Sequence, residues 1–243
     1  MIKLFRNIRQ SLINEGKTSK YLKYAVGEIL LVVIGILIAL QVNNWNNDRL
    51  TKRNEVNQVK LILEDAKADS IFFHERLKFY RQADSLQKTL LSLFDPKIQD
   101  SVSQLKMSDY QNYFGISLLS QSNVVFNNKD IVNTIKNDSV NRALKKYFAK
   151  YEHISGVIQN RNNTNRENFL TFSSKYPDAM KQVRSDSLMR GFIALTGFKD
   201  IQFHLENSIY FNPSYEGAII NFIEENHELL KVLEAYLNEE NNQ

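Results

Sequence analysis

One uninterrupted apolar stretch, Ala25 to Val42 (AVGEILLVVIGILIALQV), limits what this chain can become. Nowhere else do apolar residues run on without helical or strand alternation, and such a run is stable only inside a protein or inside a bilayer. Its wholly apolar part, Ile29 to Leu40, is twelve residues long, a length shared by buried core helices and signal-peptide cores. The flanks lengthen it. Residues 25–27 add apolar or small positions, and Tyr21 and Tyr24 face Trp45 across about 31 Å at 1.5 Å per residue. That separation matches a hydrocarbon core of roughly 30 Å with aromatic residues at both interfaces. A cleavable signal peptide has a shorter basic region and a small-x-small site, whereas Leu40 and Gln41 follow Ala39 here. The expectation is an uncleaved signal anchor, a single-pass transmembrane helix over residues 21–46.

The preceding arm is built to lie on a surface. Met1, Phe5, Ile8 and Leu12 fall at steps of three or four, with Lys3, Arg6 and Arg9 on other faces, before Asn14-Glu15-Gly16 closes the pattern. Residues 1–20 therefore read as a basic amphipathic helix. Two placements fit: the interface of an anionic leaflet, where each basic residue contributes roughly 1 kcal/mol, or the protein's own core. The first predicts that Phe5, Ile8 and Leu12 enter the lipid while Lys3, Arg6 and Arg9 meet headgroups.

Charge gives the orientation. The first 23 residues carry six basic groups against one acid, and removing these from the chain's 31 Lys+Arg and 27 Asp+Glu leaves 25 and 26. The sequence pI near 9.0 is thus a property of the arm. A nucleic-acid-binding body would carry its excess positive charge on the folded part, so none is expected. Residues 43–62 hold four basic groups, Arg49, Lys52, Arg53 and Lys60, against six before the span. The positive-inside bias places the N-terminus in the cytoplasm and the remaining ~200 residues outside it. The chain contains no cysteine, which excludes disulfides, thiolate nucleophiles and cysteine-ligated zinc together.

Glu28 is the one charge within the span. At 100° per residue Glu28, Gly35, Ala39 and Asn46 fall within about 40° of one another, and Gly35-x-x-x-Ala39 is a small-xxx-small pattern. Three readings fit this face: a carboxylate solvated at the cytoplasmic boundary beside Lys23, a packing face for a second helix, or an ion-coupling site.

The string YLKYAVGEILLVVIGILIALQVNNWN, preceded by MIKLFRNIRQSLINEGKTSK, resembles the N-terminal signature of an uncharacterised single-pass membrane family typical of Bacteroidota. The likeness is closest over residues 1–50, and VVFNNKDIVNTIKNDSVNRALKKYFAKY is similar to a later family segment. The resemblance implies an inner-membrane location and a helical body, and no activity.

The remainder reads as all-α, a long-helix bundle resembling a coiled coil. No Gly or Pro occurs from 36 to 95, and Val56, Val59, Leu63, Ala66, Phe73, Leu77, Tyr80, Ala83, Leu86 and Leu90 mark a seam on a helix over about 49–94, stopped at Asp95-Pro96. Whether the span runs unbroken into it is left open. Residues 96–137 read as irregular, with a short helix at Tyr110–Leu119 and an extended piece at Val124–Phe126. The cluster Asn137-Asp138-Ser139 caps the next helix, whose seam is Val140, Leu144, Tyr147, Tyr151, Ile154 and Ile158, the natural antiparallel partner of the first. Its Asn-rich patch QNRNNTNREN is either a loop or an exposed helical end. Weaker helices follow near Met180–Leu195 and Gly197–Phe211. Asn212 then reads as an N-cap with Pro213 at the first helical position, and Tyr215, Ile219, Phe222, Leu229, Leu233 and Tyr236 as the seam, with Glu224, Glu225, Glu228 and Glu234 outside it. The expected division is 1–20 cytoplasmic arm, 21–46 span, 47–238 extracytoplasmic helical bundle and 239–243 disordered tail.

Chemistry is not signalled. His74, His153, His204 and His227 are scattered without metal-ligand spacing, and no nucleophile elbow, phosphate-binding loop or dinucleotide fingerprint occurs. No catalytic residue, cofactor or metal is expected. Asn-x-Ser/Thr matches at Asn137 and Asn162 read as chance. The leading expectation is a bitopic anchor or interaction scaffold whose partners are the membrane and either another protein or a second copy, in a homo-oligomer. The alternative is an accessory subunit of a transport or energy-coupling complex that uses the Glu28 face. A sensory receptor is disfavoured because 23 cytoplasmic residues cannot hold an output domain.

Overall fold

The computed structural model describes residues 18–92, 120–183 and 189–242. The basic arm (Lys3, Phe5, Arg6, Ile8, Arg9, Leu12), the Asp95-Pro96 stop, the polar stretch 96–109, the expected helix at 110–119 and the side chains of Tyr21 and Tyr24 lie outside the described residues. Among the described residues every regular element is helical: α1 (Thr18–Ser92), α2 (Asn123–Asn128), α3 (Asp138–Lys175), α4 (Pro177–Val183), α5 (Met189–Thr196) and α6 (Phe198–Asn241). The all-α expectation holds. Two compact units divide the chain, one up to Glu55 and one from Val56 onward.

In the first unit α1 is helical with its apolar side chains turned outward. Ile29, Leu31 and Ile38 are 63%, 68% and 59% exposed. The polar exit stays helical, with no Gly or Pro to break it; along it Thr51 Oγ1 donates to the Asn47 carbonyl at 2.9 Å, and Arg49 Nη2 to Asn46 Oδ1 at 3.3 Å. The span and the expected helix at 49–94 are thus one element.

The second unit is a bundle of α1 from Val56 onward, α3 and α6, with apolar residues at three- and four-residue steps facing inward. Phe222 of α6 is its hub, its ring centroid 4.5 Å from Phe73 of α1, 4.9 Å from Tyr147 and 5.8 Å from Tyr151 of α3. Tilted aromatic pairs of this kind add to the area they bury.

The direction of α3 overturns the antiparallel expectation. Tyr147 meets Asp69, while Arg161 and Gln87 both bond Ser208, so moving forward along α3 means moving forward along α1. The two run parallel, and α6 runs back beside both, pairing Asn226 with Ala66 and Asn212 with Asp84. The reason lies in the connection. Ser122 bonds Asp69, Asn128 bonds Asp65 and Thr134 bonds Gln58, so residues 122–134 descend along α1 before α3 starts. Asn137 caps α3 as expected, its Oδ1 accepting from Ser139 N and Val140 N.

Two further expectations fail locally. Val124–Phe126 is helical, not extended, because Ser122 Oγ accepts from Val125 N and the Asp69 carboxylate accepts from Asn123 N and Val124 N. These bonds satisfy the first-turn donors of a helix whose Val-Val-Phe sequence alone favours a strand. Asn212-Pro213 does not start a helix either; Pro213 sits inside α6. The helix also carries on to Asn241, through most of the expected tail. The Asn-rich patch proves helical, with Arg161 and Asn165 turned inward.

Candidate functional site

Three arrangements stand out: the outward face of the apolar stretch of α1 and two polar layers within the bundle. Glu28, Gly35, Ala39 and Asn46 all lie on α1. Helical geometry puts them on one arc. Glu28 and Asn46 are half-buried and Ala39 is exposed. A Cβ built on Gly35 meets nothing within 4 Å, so the backbone there is open to close approach. Trp45 is 63% exposed with the Arg49 guanidinium 5.5 Å over its ring.

The first polar layer is centred on Asp69, which is 1% exposed. Its Oδ2 accepts from Ser122 Oγ at 2.5 Å and Tyr147 Oη at 2.8 Å, and its Oδ1 from Asn123 N at 2.6 Å. Burial first, and then the neighbouring carboxylate, push the Tyr147 phenol far above its usual range, so it stays a donor. Asn226 Nδ2 donates to the Ala66 carbonyl at 3.0 Å and to Tyr147 Oη at 3.3 Å. One carboxylate thereby ties α1, the α2 turn and α3 together, and Tyr147 links it to α6. This is a clasp that fixes the register of the crossover.

The second layer surrounds the proline turn of α6. Pro213 has no N–H for the Ile209 carbonyl, and the turn is braced from outside instead. Tyr80 Oη donates to the Asn212 carbonyl at 2.9 Å, and Arg161 Nη2 to the Ser208 carbonyl at 3.2 Å. The Asn212 amide donates to Asp84 at 2.6 Å and Gln87 at 3.0 Å. Arg161 is 6% exposed, with its guanidinium 5.1 Å over Tyr215 and 5.8 Å over Phe211. Burial pushes the Tyr80 phenol up as well, which keeps it a donor to the turn.

On the outside of the bundle, a groove of about 640 Å³ is lined by Lys146, Lys150, Glu224, Glu225, His227 and Glu228. Glu225, expected outside the seam, is buried and bridged to Lys146 at 2.8 Å. Lys146 and Lys150 line it from α3 and Glu224, Glu225 and Glu228 from α6, so it carries charges of both signs. Among the described residues no three His, Asp or Glu side chains converge as a metal site.

The sequence matches DUF6090, a family of unknown function, over residues 28–153, just over half of the chain. The chain belongs to this family. The DUF6090 match opens at Glu28 and closes at His153, so it takes in the span's apolar run, Asp69, Ser122 and Tyr147. It contains all of the later segment, 124–151, noted from sequence, but only the second half of the first 50 residues. The proline turn and its bracing Arg161 lie beyond it. No curated protein and no solved structure matches the chain.

Apolar patterning reveals the one helix among the described residues long and apolar enough to span a membrane, and it does not reveal either polar layer. Asp69, Gln87, Arg161, Ser208 and Asn226 are polar residues at inward positions, and a search restricted to apolar periodicity passes over them. The available signal was spacing: Ala66, Asp69 and Phe73 keep the same three- and four-residue steps as the apolar positions around them.

Proposed function

We propose that this DUF6090 member is a bitopic inner-membrane protein whose helical bundle is held in the periplasm as an anchor or interaction scaffold for a protein partner or a second copy. One observation carries the reading. The apolar side chains from Ile29 to Val42 stand exposed, 45% or more at Val33 and up to 68% at Leu31. Leaving that much apolar surface in water is unfavourable by roughly 25 cal/mol per Å², whereas a bilayer covers it. Residues 21–46 form the span in this reading, the basic arm stays in the cytoplasm, and residues 47–238 form the outer body.

Cross-linking in native membranes tests it. The expected product is a reproducible adduct, either with a distinct neighbour or with a second copy; recovery of monomer alone overturns the scaffold role. A second reading rests on Glu28, a half-buried carboxylate on the arc of Gly35, whose backbone is open. Here the helix packs into a larger transport or energy-coupling complex. Glu28→Gln separates the two: membrane assembly retained with an associated activity lost favours coupling, and no change in either removes it.

A further inference from the structure

The span ends in a device that the anchor role does not require. Trp45, Arg49 and Arg53 follow one another at i, i+4 and i+8 on α1, which places the backbone positions of the two arginines about 6 and 12 Å further along the helix than that of Trp45 and within about 80° of it around the axis. Both arginines are exposed, as is Trp45. Asp48, the acid between Trp45 and Arg49 in sequence, falls about 100° away from Arg49 on the helix surface. The Arg49 guanidinium lies over the Trp45 ring, 5.5 Å from its centroid, and donates to Asn46 Oδ1 at 3.3 Å. All of these residues belong to the first unit, contiguous with the uncovered apolar run.

This arrangement matches one chemistry in particular. Indole rings settle at the level of lipid headgroups, and a planar guanidinium with several N–H donors recognises the oxygens of a phosphodiester. With Trp45 at the hydrocarbon boundary, Arg49 reaches the phosphate layer and Arg53 the region just outside it. We infer that Trp45, Arg49 and Arg53 form a binding site for the headgroup phosphate of an anionic phospholipid at the exit end of the span. The inference rests on the span reading above and adds a lipid partner to it. Arg49 takes the phosphate in this site, and Arg53 contributes charge that favours an anionic over a zwitterionic headgroup.

Trp45 is the only tryptophan in the chain, so its fluorescence reports this site alone. The full chain is reconstituted in phosphatidylcholine vesicles containing the same mole fraction of either brominated phosphatidylglycerol or brominated phosphatidylcholine, and quenching is compared. The expected result is a local preference for the anionic lipid of up to about thirtyfold, as two basic residues at a membrane surface give. It should fall close to unity in the Arg49→Gln/Arg53→Gln double variant and shrink in high salt. Equal quenching by the two lipids in the unaltered chain, or an unchanged preference in the double variant, overturns the inference while leaving the span intact. Loss of the preference on adding inorganic phosphate at constant ionic strength assigns the pair to free phosphate and overturns the lipid assignment. Absence of any quenching in vesicles made wholly of brominated phosphatidylcholine overturns the span reading and this inference with it.

Discussion

α1 presents the same kinds of residue in opposite arrangements along its length. Between Ile29 and Val42 its apolar side chains cover every face and are exposed, whereas between Val59 and Leu90 they occupy one stripe and are buried. The first stretch needs a surrounding apolar solvent; the second brings its own, in the form of α3 and α6. Polar residues differ in the same way. In the span the lone carboxylate, Glu28, is half-buried at one end, but in the bundle Asp69 sits at the centre with its oxygens bonded to donors from neighbouring elements. An apolar segment without partners gains nothing from a buried charge, while a bundle of similar amphipathic helices gains a defined register from a buried carboxylate whose two oxygens both meet donors.

If this contrast is right, changes to the two stretches should act on separate properties. Ile34→Arg with Leu37→Arg should abolish carbonate-resistant membrane association, since each arginine costs about 2.5–3.5 kcal/mol at a helix centre, yet leave the bundle's helical circular dichroism and melting unchanged. Phe222→Ala should do the reverse. Emptying the hub between Phe73, Tyr147 and Tyr151 is expected to lower bundle stability by about 3–5 kcal/mol in denaturant titrations, with membrane association intact.

Asp69→Ala comes next, at about 3 kcal/mol, because it leaves the donors of Ser122, Asn123, Val124 and Tyr147 without their acceptor. Hydrogen exchange should then rise first in α2. Pro213→Ala should raise stability by about 1 kcal/mol, less than the roughly 3 kcal/mol of an unbraced helix-interior proline, because Tyr80 and Arg161 already support that turn. A fall in stability would contradict the bracing.

The smallest effect concerns pH. Burial lowers the pKa of His204 below the usual value of 6.5, with Asp200 opposing and Lys175 reinforcing the shift, and its ring meets Phe172 at 5.0 Å. The unfolded chain therefore takes up a proton that the folded state resists, and stability falls as pH drops through the unfolded value. The Asp200 carboxylate, held low by hydrogen bonds from Lys175 and Tyr176, adds a further loss at more acid pH, below its unfolded range. His204→Gln should flatten the dependence of the melting temperature between pH 7 and 5 without touching the acid limb.

Much of the fold was legible because apolar period and capping chemistry are local. The seam residues Val140, Leu144, Tyr147, Ile154 and Ile158 of α3 and Tyr215 to Tyr236 of α6 are the buried ones, and Asn137 caps where its sequence neighbours indicated. What escaped was set by distant partners. Hydrophobicity alone puts Leu63 and Leu86 in the α1 seam, but Ile62, Asp69 and Gln87 take the buried positions, the polar two because Tyr147 and Ser208 meet them across the bundle. Pro213 and the parallel course of α3 were misread for the same reason. A proline predicts a break only where nothing braces it, and helix direction depends on the crossover. The span was the opposite case: its character lies wholly in its own composition, and of its candidate face only the open backbone at Gly35 needed coordinates.

The central claim is that residues 21–46 cross a membrane and put the basic arm and the bundle on opposite sides. A chain with no cysteine allows a direct test by single substitutions, without background. Lys3→Cys, Ile34→Cys and Ser214→Cys are exposed in turn to a membrane-impermeant thiol reagent in cells whose outer membrane alone has been opened, and again after full permeabilisation. Ser214→Cys should react in both states, Lys3→Cys only after permeabilisation, and Ile34→Cys in neither. Reaction at Ile34→Cys in either state, or simultaneous reaction of Lys3→Cys and Ser214→Cys before permeabilisation, would contradict the claim.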